Sequence, residues 1–230
     1  MPTSSYPPFF RLRFVIVNAF TGCNLLIGVL SLIAATTGSV ATAAWGLLLC
    51  VLLDTCDGSL ARRWRVTTAF GAQLDSLADM TSFIIAGTGL AFYWAYPTGA
   101  FIPLVIVSGL YALSGAIRLA RFNTNPTRSD YFQGVPTTFG ALVIAANYLA
   151  YPVLTSGWIM ALVSLLAALM VSTWPYPKLA MLRRCPWWAV LALIAGFVFS
   201  STWTIWLLTV VYLCLGPATW VYLRFQSTDI

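Results

Sequence analysis

The chain has 230 residues, of which 60% are hydrophobic and 8% charged, with twelve basic and six acidic side chains and a net charge of +6. That balance excludes a water-soluble globular domain and indicates a protein that crosses a membrane several times. Histidine is absent, which excludes imidazole acid–base chemistry and imidazole-held metals.

The N-terminal MPTSSYPPFFRLR is followed by an apolar run over 14–37. The run is longer than a signal-peptide core and has no convincing small-residue cleavage site, so it reads as a retained first span. A span needs roughly 20 apolar residues. Runs bounded by turn-forming or charged residues place helices at 14–36, 40–58, 71–95, 99–121, 137–153, 157–175, 186–200 and 203–223. The fold class expected is therefore all-α, one membrane domain over 1–230 with about eight transmembrane helices, the last two peripheral.

Basic residues occur at alternate ends of successive spans: Arg11 and Arg13, then Arg62, Arg63 and Arg65, then Arg118, Arg121 and Arg128, then Lys178, Arg183 and Arg184, then Arg224. The opposite connections, TTGSV, AYPTGA, YPVLTSG and SSTW, carry no charge. The positive-inside rule then puts both termini and every basic loop in the cytoplasm. These arginines form no single stripe, so they indicate topology and contact with membrane lipid rather than a nucleic-acid partner. Five cysteines without paired spacing suggest neither a disulfide framework nor a zinc site.

Four of the six acidic residues fall in DTCDGSLARRWRVTTAFGAQLDSLAD, residues 54 to 79. Asp54 and Asp57 are three apart at the end of the second span, and Asp75 and Asp79 four apart at the start of the third. On helices each pair shares a face, and two antiparallel helices can bring all four carboxylates together. Such a group repels itself unless a cation is present. Hard divalent ions with oxygen ligands suit it, and Mg or Mn suits a phosphate-handling site. Gly58, Ala61 and Gly71 remove bulk from the same faces, and Arg62 offers a guanidinium to phosphate. The expected ligand is a phosphodiester or pyrophosphate at the cytoplasmic face. A buried acidic group also suits a cation transporter, which should carry polar groups near midplane in several spans. The later spans here carry no acid.

The pattern Asp54-x2-Asp57-Gly58-x2-Ala61-Arg62-x8-Gly71-x3-Asp75-x3-Asp79 resembles the signature of the CDP-alcohol phosphatidyltransferase family at every position. The resemblance implies a membrane-embedded helical enzyme, usually a homodimer, that transfers a phosphatidyl group from a CDP-linked lipid to an alcohol and releases CMP. It implies that Asp54, Asp57 and Asp75 are metal ligands and that Asp79 is both a ligand and the catalytic base. Gly58, Ala61, Arg62 and Gly71 would line the nucleotide pocket, with Thr68 beside them and Thr21 and Asn24 of the first span also on the CDP-lipid. FTGCNLLIG, containing Thr21 and Asn24, RLARFN followed by YFQGVP, and MVSTWPYP further resemble the branch of the family that uses L-serine and CDP-diacylglycerol. Val135 and the form of TWPYP depart from it modestly. Serine carries a carboxylate, for which Arg118 and Arg121 provide guanidinium forks, with Asn123 as an amide partner. The chain is accordingly expected in a bacterial inner membrane with its site facing the cytoplasm. Glycerol phosphate, inositol or choline are the alternative acceptors.

Overall fold

A computed structural model describes residues 8–124, 131–177 and 201–226. Their order is α1 (Pro8–Thr36), α2 (Val40–Trp64), α3 (Ala69–Asp79), a π-helical turn (Met80–Ile85), α4 (Ala86–Ala95), α5 (Phe101–Thr124), β1 (Tyr131–Gln133), α6 (Thr137–Ala150), α7 (Ser156–Val171), β2 (Pro175–Pro177) and α8 (Ser201–Gln226). Among the described residues four helices are long and apolar enough to cross a membrane, namely α1, α2, α5 and α8, while α6 and α7 are apolar but shorter. Their outward faces carry Leu26, Leu30, Val105, Ile106, Leu207 and Val211, all exposed. An uncovered apolar belt of this kind is stable in lipid rather than in water.

The hairpin of α1 and α2 is the frame of the site. It is closed by Gly38 at φ +86°, a left-handed position that costs glycine nothing. Gly38 N–H reaches Ala35 O at 3.1 Å and Ser39 N–H reaches Ala34 O at 2.8 Å, so the last carbonyls of α1 are satisfied. At Gly28, a Cβ would lie 2.6 Å from Ser82 Cα, so α1 and the π-helical turn meet backbone to backbone. The core between the helices holds Leu47, Leu90, Tyr111, Ile144, Leu166 and Met170.

Besides starting its first helix at Pro8 rather than at 14, the structure differs from expectation in four places. The second helix runs beyond 58 to Trp64, which carries Gly58, Ala61 and Arg62 on the same helix as Asp54 and Asp57. It ends on Arg65 at φ 55°, a left-handed position usually given to glycine. The third span contains the π-helical turn directly after Asp79, where Ala86 N–H bonds back to Thr81 O. The helix expected at 157–175 stops at Val171, because Ser172 turns extended and Pro175 restricts the residue before it. Finally, the chain is not purely helical, since β1 and β2 pair antiparallel, Phe132 opposite Tyr176. The helix expected at 186–200, with Arg128, Lys178, Arg183 and Arg184, lies outside the described residues.

That small ribbon joins three stretches that are distant in sequence. Gly134 N–H bonds to Trp174 O at 2.9 Å and Val135 N–H to Leu169 O at 3.1 Å. Arg121 Nη1 donates to Val171 O at 3.0 Å and Ser172 O at 3.4 Å. The open carbonyls ending α7 are thus taken by RLARFN and by YFQGVP. Gly134 is required there: its φ is +73°, and a Cβ would lie 2.5 Å from Met170 O and 2.9 Å from Leu169 O. Gly134→Ala is expected to destabilise the protein by roughly 3 kcal/mol, read as a lower melting temperature in detergent. An unchanged melting temperature would remove this turn from the supports of the fold.

Candidate active site

The carboxylates of Asp54, Asp57 and Asp75 each bring an oxygen within 4.8 Å of the other two. The approach follows from helix geometry. Asp54 and Asp57 share one face in the C-terminal half of α2, Asp75 lies in the second turn of α3, and the connection of four residues between the helices forces them antiparallel. Thr68 opens α3 with its Oγ1 accepting from Gly71 N–H at 3.0 Å, which fixes where the helix starts. Asp57 is anchored from α1, where Thr21 Oγ1 donates to its Oδ2 at 2.7 Å.

Asp79 completes the acidic group from one turn further on. Its carboxyl lies within hydrogen-bonding reach of Asp54, and it feels the charges of Asp54 and Asp75. Its Oδ1 is buried and has no hydrogen-bond partner. The opposing positive charges come from Arg62 on the Asp54, Asp57 and Asp75 side and from Arg118 on the Asp79 side.

A pocket of about 190 Å³ opens beside these carboxylates between α1, α2 and α3. Of the residues expected to hold a nucleotide, Thr21, Gly58, Ala61, Arg62, Thr68 and Gly71 all line it, together with Asp57 and Asp75. The Arg62 guanidinium folds back over Gly58, whose absent Cβ would lie 3.3 Å from Nη1. Asn24 does not line the pocket. It is fully buried three residues beyond Thr21, with neither amide atom partnered, while its backbone oxygen accepts from Cys50 Sγ at 3.4 Å. Sequence reasoning missed Asn18, a pocket residue whose Oδ1 lies 3.6 Å from where a Gly71 Cβ would stand. The available signal was its position one turn before Thr21 in an otherwise apolar span.

The three residues expected at the acceptor separate. Arg118 is 8% exposed and faces Asp79, with Nη1 donating to Thr137 Oγ1 at 3.3 Å and Nε unpartnered. Arg121 is taken up by the end of α7, and exposed Asn123 accepts at Oδ1 from Ser76 Oγ at 3.1 Å. The acidic group therefore has two flanks, a pocket on one side and a buried arginine on the other.

Three carboxylates presenting oxygens at this spacing, with a fourth carboxyl beside them, match the donor set that divalent cations of the Mg and Mn kind take. Small residues and a guanidinium on the pocket side leave room and charge for a phosphate-bearing ligand.

Residues 14–174 match the model of the CDP-alcohol phosphatidyltransferase family, and the chain belongs to that family. It is 33% identical over 193 residues to the CDP-diacylglycerol–serine O-phosphatidyltransferase of one Helicobacter pylori strain, covering 80% of this chain and 79% of that one. The protein of the same name from a second strain is 30% identical over 224 residues, 91% of this chain and 92% of that one. Archaetidylserine synthase of Methanothermobacter thermautotrophicus is 35% identical over 159 residues, 67% of this chain and 66% of that one.

Proposed function

We infer that the protein transfers the phosphatidyl group of CDP-diacylglycerol to the hydroxyl of L-serine, giving phosphatidylserine and CMP. The observation that carries this reading is the meeting of Asp54, Asp57 and Asp75 beside a pocket that Asp57 and Asp75 line together with Gly58, Ala61, Arg62 and Gly71. The names of the relatives support serine as the acceptor.

In this reading Thr21, Gly58, Ala61, Arg62, Thr68 and Gly71 hold the cytidine and pyrophosphate of the donor, with Asn24 behind them. The acyl chains stay in lipid. Asp54, Asp57 and Asp75, joined by Asp79, hold a divalent cation, Mg or Mn. An ion held there would supply positive charge to the pyrophosphate and to the leaving CMP. The serine hydroxyl is a weak nucleophile near neutral pH, and Asp79 accepts its proton as the new phosphorus–oxygen bond forms. Arg118, buried beside Asp79, receives the serine carboxylate. Arg121 and Asn123 hold the end of α5 from which Arg118 projects.

The same reading covers the topology: one domain over 1–230, about eight spans, both termini and the site in the cytoplasm of a bacterial inner membrane, and a homodimer. An acceptor panel tests the function. Purified protein with CDP-diacylglycerol and divalent ion is expected to release CMP with L-serine and far less with glycerol phosphate, inositol or choline. Release with one of those instead reassigns the acceptor, and release with none overturns the transferase.

A further inference from the structure

The expected acceptor residues all come from α5, but besides Thr137 of α6 the structure brings a further element to Arg118. Tyr212 lies on α8, beyond the family match that ends at residue 174. Its phenol interacts electrostatically with the Arg118 guanidinium. Its ring packs against two others, stacked on Phe139 with centroids 3.7 Å apart and on Tyr176 at 5.5 Å. Such a stack leaves the ring little freedom.

Each support has its own reason to be there. Tyr176 is fully buried, its hydroxyl donates to Leu213 O at 3.2 Å, and the α8 backbone approaches its ring at Gly216. Thr219 Oγ1 bonds to Pro175 O from the same helix. The β2 ribbon therefore locks α8 at the height of Tyr212. On α6, Thr137 accepts from Arg118 and Phe139, two residues on, stacks on Tyr212. The first turn of α6 thus touches both the Arg118 guanidinium and the Tyr212 ring.

We propose that Tyr212 is a specificity-determining residue of the acceptor site, donating its phenolic hydrogen to the acceptor carboxylate that Arg118 binds. This rests on the serine reading above. Arg118 retains Nε without an acceptor, and the Thr137 hydroxyl, accepting from Arg118, keeps its own hydrogen to donate. One guanidinium with two neutral hydroxyls matches a singly charged carboxylate. A phosphate acceptor carries about two charges and calls for further cations.

The test is Tyr212→Phe, which keeps the ring stack and removes only the hydroxyl. Losing a hydrogen bond to a charged group is expected to raise KM for L-serine roughly tenfold or more. KM for CDP-diacylglycerol and the melting temperature should stay at wild-type values, with kcat within about twofold. Tyr212→Leu, which also removes the ring, should lower the melting temperature as well. A serine KM unchanged in Tyr212→Phe overturns the proposal, as does a loss of kcat, both KM values and melting temperature together, which would mark a structural role. A wild-type protein that releases no CMP with serine instead sinks the serine reading itself.

Discussion

Replacing Asp79 by asparagine is expected to lower serine-dependent CMP release by roughly 10³-fold or more, because one change removes a proton acceptor and a charged metal ligand. The fold should survive. Asparagine has the same shape, and Asp79 sits among Asp54 and Asp75, whose charges oppose its own. Its Oδ1 satisfies no donor in the protein, so no internal hydrogen bond at that atom is lost. The melting temperature in detergent should equal that of the wild type or exceed it. Wild-type turnover in Asp79→Asn would exclude Asp79 as the base. Lost turnover with a collapsed melting temperature would point to folding instead.

Removing divalent cations should abolish turnover, and adding back Mg or Mn should restore it. A second measurement separates metal binding from catalysis. The carboxylates of Asp54, Asp57 and Asp75 lie within 4.8 Å of each other, where like charges at a protein surface repel by on the order of 3 kcal/mol per pair. Asp75→Asn should therefore melt higher than the wild type when both are stripped of metal. On adding the ion the wild type should gain stability, by about 2.7 kcal/mol at a hundredfold excess over Kd, and the variant should gain much less. Equal stabilisation of the two would remove Asp75 from the ligand set. Asp75 suits this experiment better than Asp57, because Asp57 also accepts a hydrogen bond from Thr21.

The sequence was most readable where the physics is local. A spacing of three or four on a helix fixes which side chains share a face, so the convergence of Asp54, Asp57 and Asp75 was readable, as was the lack of bulk at Gly58, Ala61 and Gly71 beside them; a nucleotide pocket lined by these small residues and Arg62 was implied by the family resemblance. Helix starts after α1 were readable to within about two residues for the same reason. What could not be read depends on pairing across long stretches of chain. Arg121 looks like a free guanidinium until the end of α7 arrives more than fifty residues later with unsatisfied carbonyls. Tyr212 looks like one more tyrosine of a membrane-interface belt, and only the ribbon of β1 and β2 reveals that α8 turns it inward. The π-helical turn after Asp79 also leaves no mark in composition, since MTSFII suits an ordinary helix equally well.

The two short helices α6 and α7 have 14 and 16 residues, or roughly 21 and 24 Å at 1.5 Å per residue. A hydrocarbon layer of roughly 30 Å is matched by α1, α2 and α5 but not by this pair. No residue of α6 is exposed, so longer neighbours shield that helix and its shortness sets no mismatch with lipid. Thr137, at its first turn, is 1% exposed. The blunt end of α6 therefore leaves a polar hydroxyl inside the protein, where a full-length span would have carried it out to the bilayer surface.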